Sequence, residues 1–187
     1  MALEFALTGS AAGVEDRLAV RCRAGDLAAF DELVARYQLR LFRFSFRLLR
    51  DRAEAEDAVQ ETFLRVYRGL SKYRPDGFFS SWIYRITLNE CRRRLRSRRS
   101  TVPLEFTAAA DNLPDPQATV MQNERHRELR AALNSLPEHY RMVMMLFYFD
   151  DLSVDEISHA MGLSVSAVKV RLHRGRERLA TRLGHAA

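Results

Sequence analysis

Residues Ser153–Arg176 read SVDEISHAMGLSVSAVKVRLHRGR. Ser153 is followed three residues later by Glu156, the pairing of a capping box, so a short helix begins there. Gly162 stops it, and Ser164 stands where it can cap a second helix. A short helix, a glycine-containing turn and a second helix make a helix-turn-helix. At about 100° per residue, Val165, Val168, Leu172 and Leu179 fall on the inner face of the second helix. Ser166, Ala167, Val170 and Arg174 lie opposite, flanked by Lys169, Arg171 and His173, and Arg178 follows further along. Between Ser164 and Ala187 there are six basic residues and one acidic residue, Glu177. Small residues at the helix start with cations along its exposed side suit a DNA major groove. A solvated basic helix within a bundle has the same charge.

Helical periodicity extends upstream. From Asp26, a candidate N-cap, to Arg50, the residues Phe30, Leu33, Val34, Tyr37, Leu41, Phe44 and Leu48 recur at steps of three and four. A second helix over 52–69 has Ala55, Val59, Thr62, Phe63 and Val66 on its inner face, and a third over 80–97 has Tyr84, Leu88, Cys91 and Leu95. Between 100 and 118 the pattern stops among Pro103, Pro114 and Pro116, which reads as a linker. It resumes near Thr119, with Leu129, Leu133 and Leu136 ahead of Pro137 and a compact apolar helix over 140–149. No segment alternates as a half-buried strand does. The expected fold is all-α, with two small helical domains at 24–99 and 119–187, the linker at 100–118, and an N-terminal segment, 1–23, set apart.

Composition removes several function classes. The chain has 187 residues, 47% hydrophobic and 29% charged, which fits one or two globular domains. No apolar run reaches the ~18 residues of a membrane helix, and no basic stretch precedes an apolar one at the start, so no signal peptide is expected. Cys22 and Cys91 give neither a disulfide framework nor a zinc site, pointing to a reduced, cytoplasmic protein. There is no Gly-rich phosphate loop, metal-binding His pair or nucleophile elbow. No catalytic residue, metal, cofactor or small-molecule substrate is expected, and the protein does not read as an enzyme. The net charge is +6, and all but two of the 30 basic residues, Lys72 and Lys169, are arginine. Arginine bias suits phosphate and guanine contact, although a compositional habit of the source genome produces it too.

The location of the arginines is more informative. Residues Arg85–Arg99 have a net charge of +6, with Glu90 the one acid. On a helical wheel Arg85, Asn89, Arg92, Arg93 and Arg96 share a face with Trp82, opposite the apolar stripe. An indole and an amide among arginines suit melted nucleic acid, held by stacking and phosphate pairing. Upstream, Tyr73-Arg74-Pro75-Asp76-Gly77-Phe78-Phe79 is a turn-prone loop that can receive an extruded base; equally, Trp82 can be half-buried and the phenylalanines core. Residues Asp51–Glu61 have a net charge of −4. Glu54, Asp57, Gln60, Glu61 and Leu64 point outward there, a combination that suits a protein partner, or else a solvated acidic face.

In this order the blocks resemble an extracytoplasmic-function (ECF, group IV) RNA polymerase sigma factor of the sigma-70 family. The strings that carry the resemblance are Asp51-Arg52-Ala53-Glu54-Ala55-Glu56-Asp57-Ala58-Val59-Gln60-Glu61-Thr62-Phe63, Phe79-Ser80-Ser81-Trp82-Ile83-Tyr84-Arg85-Ile86, and Leu136-Pro137 with the helix-turn-helix. The resemblance implies sigma regions 2 and 4 without region 3. It implies that Glu54, Asp57, Gln60, Glu61 and Leu64 grip the beta-prime clamp coiled coil of core RNA polymerase, and that the beta flap is a further contact. Tyr73, Asp76, Gly77 and Phe78 would capture a flipped base of the −10 element. Trp82, Arg85, Asn89, Arg92, Arg93 and Arg96 would line its melted strand, and Ser166, Lys169, Val170, Arg171, His173, Arg174 and Arg178 would engage the −35 duplex. Pro75 and the Phe78-Phe79 pair depart from the small polar residues common in such loops, so the preferred −10 base is not implied. An anti-sigma factor, often membrane-tethered, is the implied regulator. A free-standing helix-turn-helix regulator would account for Ser153–Arg176 but leaves the acidic helix and the Trp82 face without a role. A nucleic-acid-modifying enzyme lacks a catalytic constellation.

Overall fold

The structure, a computed structural model, describes residues 2–101, 129 and 131–184, with side chains over 13–98, 129 and 131–184. All regular elements among the described residues are helical. The chain divides into two compact units, each with its own core.

In the first unit, α1 (Ala2–Arg23), α2 (Leu27–Leu49), α3 (Arg52–Gly69) and α4 (Phe79–Thr101) pack with α2 at the centre, against the other three. Both α2 and α3 begin at an aspartate cap, the first of them the Asp26 expected from the sequence. Asp26 accepts from the Ala29 N–H, and Asp51 accepts from the Glu54 N–H. Arg50, left-handed at φ 54°, turns α2 directly into α3. Leu33, Tyr37, Leu41 and Phe44 of α2 meet Ala55, Val59 and Val66 of α3 and Ile83, Tyr84, Leu88 and Cys91 of α4 in the core. The Phe44 and Tyr84 rings meet edge to face at 5.5 Å. Phe30, Val34, Phe63 and Leu95 occupy the margin, only half-buried. Burial pushes the Cys91 thiol up to about 11, which makes it a packing residue.

The first difference from expectation is at the start of the chain. Residues 1–23, set apart by the sequence reading, contain α1, which packs on α2 and α4 and buries Leu18, Ala19 and Cys22. Those three give too short a stripe for periodicity to register. Helix α4 also runs on to Thr101, past the domain limit read at 99. The rest of the expected linker lies outside the described residues.

The second unit has a helical turn over 131–134, then α5 (Glu138–Tyr148), α6 (Val154–Met161) and α7 (Val165–Gly184). Both bonds of the Ser153–Glu156 capping box form, Gly162 ends α6 at φ 65°, and Ser164 Oγ accepts from the Ala167 N–H at 3.2 Å. α5 packs on α7. Gly175 permits that approach, because a Cβ there would lie 3.0 Å from Met144 Cγ and Sδ. Val168, Leu172 and Leu179 are buried as read, whereas Val165, in the first turn, is at the surface.

Candidate nucleic-acid and polymerase interfaces

On α3 the acidic residues separate into two groups. Gln60 and Leu64 are exposed, Leu64 at 51%, and Asp57 and Glu61 flank them. Asp57 is 3.6 Å from the Arg94 guanidinium, and Glu61 accepts from Arg65 Nε at 2.8 Å. Glu54 is half-buried and faces α4, with Arg94 Nη1 at 3.0 Å and Arg98 Nη2 at 3.6 Å. The outward placement read for Glu54 is therefore corrected: this carboxylate joins α3 to α4.

At the centre of that joint is Glu90, whose side chain is fully buried. Arg93 Nη2 donates to it at 2.6 Å, Arg94 Nε at 2.8 Å, and Arg65 Nη2 lies at 3.3 Å. Burial pushes its carboxyl up, but the hydrogen bonds and charges of Arg93 and Arg94 outweigh this and hold it below the usual range. Arg93 is thus partly committed to Glu90 as well as exposed. Arg94 and Arg98, on the α3 side, serve packing.

The opposite side of α4 presents Arg85, Asn89 and Arg96, all exposed, with Arg92 half-buried beside them. Trp82 is half-buried at the head of this face. Its indole meets Tyr73 at 4.8 Å and Phe79 at 5.7 Å, and it lies so close to Gly69 that a Cβ there would be 2.9 Å from Cζ2. Phe79 is wholly buried, and Tyr73 is 8% exposed, so the structure corrects its placement as a base-contacting ring. The Tyr73 hydroxyl instead donates to Asp16 Oδ1 at 2.5 Å, and the Gly77 N–H donates to Asp16 Oδ2 at 2.6 Å. Burial, then the Asp16 bond and charge, push the Tyr73 phenol upward. Asp76, exposed, accepts from the Phe78 N–H at 3.2 Å, and Phe78 is half-buried. The part of this loop left at the surface is Arg74–Asp76, with Phe78 half-buried beside it. Asp16 escaped the sequence reading because its partners are 57 and 61 residues away.

On α7, Ser166, Lys169, Val170, His173, Arg174 and Arg178 are exposed, and Arg171 is half-buried. Ser166, Val170, Arg171 and Arg174 line an open groove of about 420 Å³, completed by His139 and Tyr140 of α5. The α5 residues were missed because their approach to α7 depends on tertiary packing. His173 Nε2 is 3.3 Å from Glu177, and the Arg178 guanidinium lies over the Tyr140 ring at 5.1 Å, so both have partners within the unit.

The sequence profile of Sigma-70 region 2 matches residues 33–101, and that of Sigma-70 region 4 matches residues 126–179. RNA polymerase sigma-H factor of Pseudomonas aeruginosa is 30% identical, over 87% of this chain and 90% of its own length. ECF RNA polymerase sigma factor SigW of Bacillus subtilis is 32% identical, over 86% and 92%. The chain belongs to the ECF sigma factor family. ECF sigma factor SigE of Mycolicibacterium smegmatis is 37% identical over 83% of this chain, which spans only 63% of that longer relative. Among solved structures, CnrH in complex with the cytosolic domain of CnrY gives a TM-score of 0.72 at 26% identity, covering 93% of this chain and 99% of CnrH. The sigma factor RpoE from Bartonella quintana, in complex with the anti-sigma factor NepR, shares the fold at TM-score 0.70 and 21% identity, covering 83% of this chain and 96% of RpoE. Within this sigma factor the α3, α4 and loop surfaces fall inside the region 2 match, and α7 falls largely inside the region 4 match. Asp16 and the whole of α1 precede the region 2 match.

Proposed function

We propose that this sigma factor docks on the beta-prime clamp coiled coil of core RNA polymerase through Asp57, Gln60, Glu61 and Leu64 of α3. The α4 face from Trp82 to Arg96 holds the melted −10 strand, with the Arg74–Phe78 loop receiving a base. The α7 groove takes the −35 duplex, and the second unit also meets the beta flap. The observation that carries this reading is the two-sidedness of α4. One side pairs Arg94 with Glu54 and Glu90, and the other presents Arg85, Asn89 and Arg96 to solvent beside an indole. A structural face has its cations neutralised by neighbouring acids, as on the first side; a nucleic-acid face presents them beside a stacking surface.

The chain itself performs no bond chemistry. Binding energy gained only when bases are exposed lowers the free energy of the opened promoter, and the polymerase makes the RNA. These partners assign the protein to the cytoplasm; no described helix is long and apolar enough to cross a membrane. An anti-sigma factor is the proposed regulator, supported by the complexes in which CnrH and RpoE were solved. The test is reconstitution with core polymerase and run-off transcription from promoters selected by the holoenzyme. Failure of the chain to associate with core polymerase would overturn the reading.

A further inference from the structure

The loop proposed to receive a base is tied at both ends to a single carboxylate on another element. Asp16 of α1 uses one oxygen for the Tyr73 hydroxyl and the other for the Gly77 N–H. Between these anchor points Arg74, Pro75 and Asp76 are exposed. Gly77 sits at φ +85°, a left-handed conformation that aims its N–H at Asp16 and that side-chain-bearing residues rarely adopt. The Tyr73 ring, fixed by its hydroxyl, packs against both Phe79 and Trp82. One carboxylate therefore governs the width of the loop and the seat of the indole. Asp16 itself is half-buried, with both carboxylate oxygens engaged by the loop.

We infer that Asp16 is a positioning residue for base capture: it holds the loop and Trp82 in their receiving geometry before DNA arrives. This rests on the reading of the loop as a −10 contact. A loop ordered in advance does not have to lose its conformational freedom on binding, so the ordering is reflected in affinity for the melted strand. Binding of duplex −35 DNA and of core polymerase uses other surfaces and is expected to be indifferent to Asp16.

The experiment compares holoenzymes carrying wild type, Asp16→Ala, Tyr73→Phe, the double variant and Phe78→Ala. Each is titrated with a promoter fragment bearing a pre-melted −10 bubble and with a −35 duplex fragment that lacks the −10 element. Asp16→Ala is expected to weaken bubble binding about fivefold to twentyfold, the scale of losing charge-assisted hydrogen bonds and the order they impose. Duplex binding and retention on core polymerase should change less than about twofold, within the effect of a remote substitution. Tyr73→Phe, which keeps the ring, should give a smaller loss that disappears in the Asp16→Ala background. If Asp16→Ala lowers the melting temperature enough to impair holoenzyme formation, the Tyr73→Phe result alone decides. Normal bubble binding by Tyr73→Phe then overturns the inference. Wild-type bubble affinity for Asp16→Ala, with Phe78→Ala weakened, overturns the role of Asp16 and leaves the loop reading standing. Wild-type affinity for both removes the loop reading itself.

Discussion

Glu90 illustrates how far a single residue can depart from its sequence context. Among seven arginines between 85 and 99 it reads as a lone acid on a solvated helix, yet its side chain is fully buried and three guanidinium groups converge on it. Glu90→Gln keeps the shape and removes the charge. The expected loss is about 1–3 kcal/mol of stability at neutral pH, moderated because Arg93 and Arg65 remain accessible to water. The sign of the pH dependence follows from the lowered carboxyl value. Glu90 stabilises fully above the unfolded-state value of about 4.3, and its contribution is lost as the pH falls through the lower folded-state value. Denaturant melts of the two proteins should therefore converge on acidification; a gap that stays constant to pH 3 would dismiss the ion pairs as the source. Gly69 supplies a second residue-scale prediction. A methyl group there meets the Trp82 ring at 2.9 Å, so Gly69→Ala must displace the indole. With one tryptophan in the chain, the emission maximum reports it directly, and an unshifted spectrum would contradict the placement of Trp82.

At the scale of elements, what was legible was local. Asp26, Ser153 and Gly162 act within one turn of their own position, so these caps and the bounds of α6 could be read from neighbouring residues. The pairing of Glu54 with Arg94, 40 residues away, has no local signature, and neither has the approach of His139 and Tyr140 to α7. This bears on how the α3 surface is probed. Charge reversal at Asp57 or Glu61 would set a cation against Arg94 or Arg65 and confound binding with stability. Gln60→Ala and Leu64→Ala avoid this. Each is expected to weaken core-polymerase affinity while moving the thermal melt by less than about 0.5 kcal/mol, as surface substitutions do. Glu54→Ala should do the reverse. If Leu64→Ala and Gln60→Ala both bind core polymerase normally, the clamp contact is not on this face.

At the scale of the whole molecule, the two units have separate cores, so promoter binding should divide into separable contributions. On the proposed reading, Arg174, which lines the α7 groove, contributes to duplex recognition. Loss of one good base contact costs ~1–3 kcal/mol of discrimination at particular −35 positions. On the same reading, Trp82 and Arg92 contribute after opening, since stacking worth about 1–3 kcal/mol per base is available only to exposed bases. Arg174→Ala should therefore relax −35 preference and weaken closed-complex formation, and a pre-melted bubble should not repair it. The Trp82→Ala, Arg92→Ala pair should slow opening on duplex DNA; a pre-melted bubble should remove that delay while keeping the weaker hold on the melted strand. Residues without shared partners usually combine additively to within about 0.3–0.5 kcal/mol. The triple variant on duplex DNA should then show the sum of the two losses. Closed-complex affinity and open-complex kinetics on duplex DNA measure these losses. A triple variant that departs from the sum by more than about 1 kcal/mol, beyond the scatter expected of independent sites, would mean that the α4 and α7 surfaces act as one coupled site.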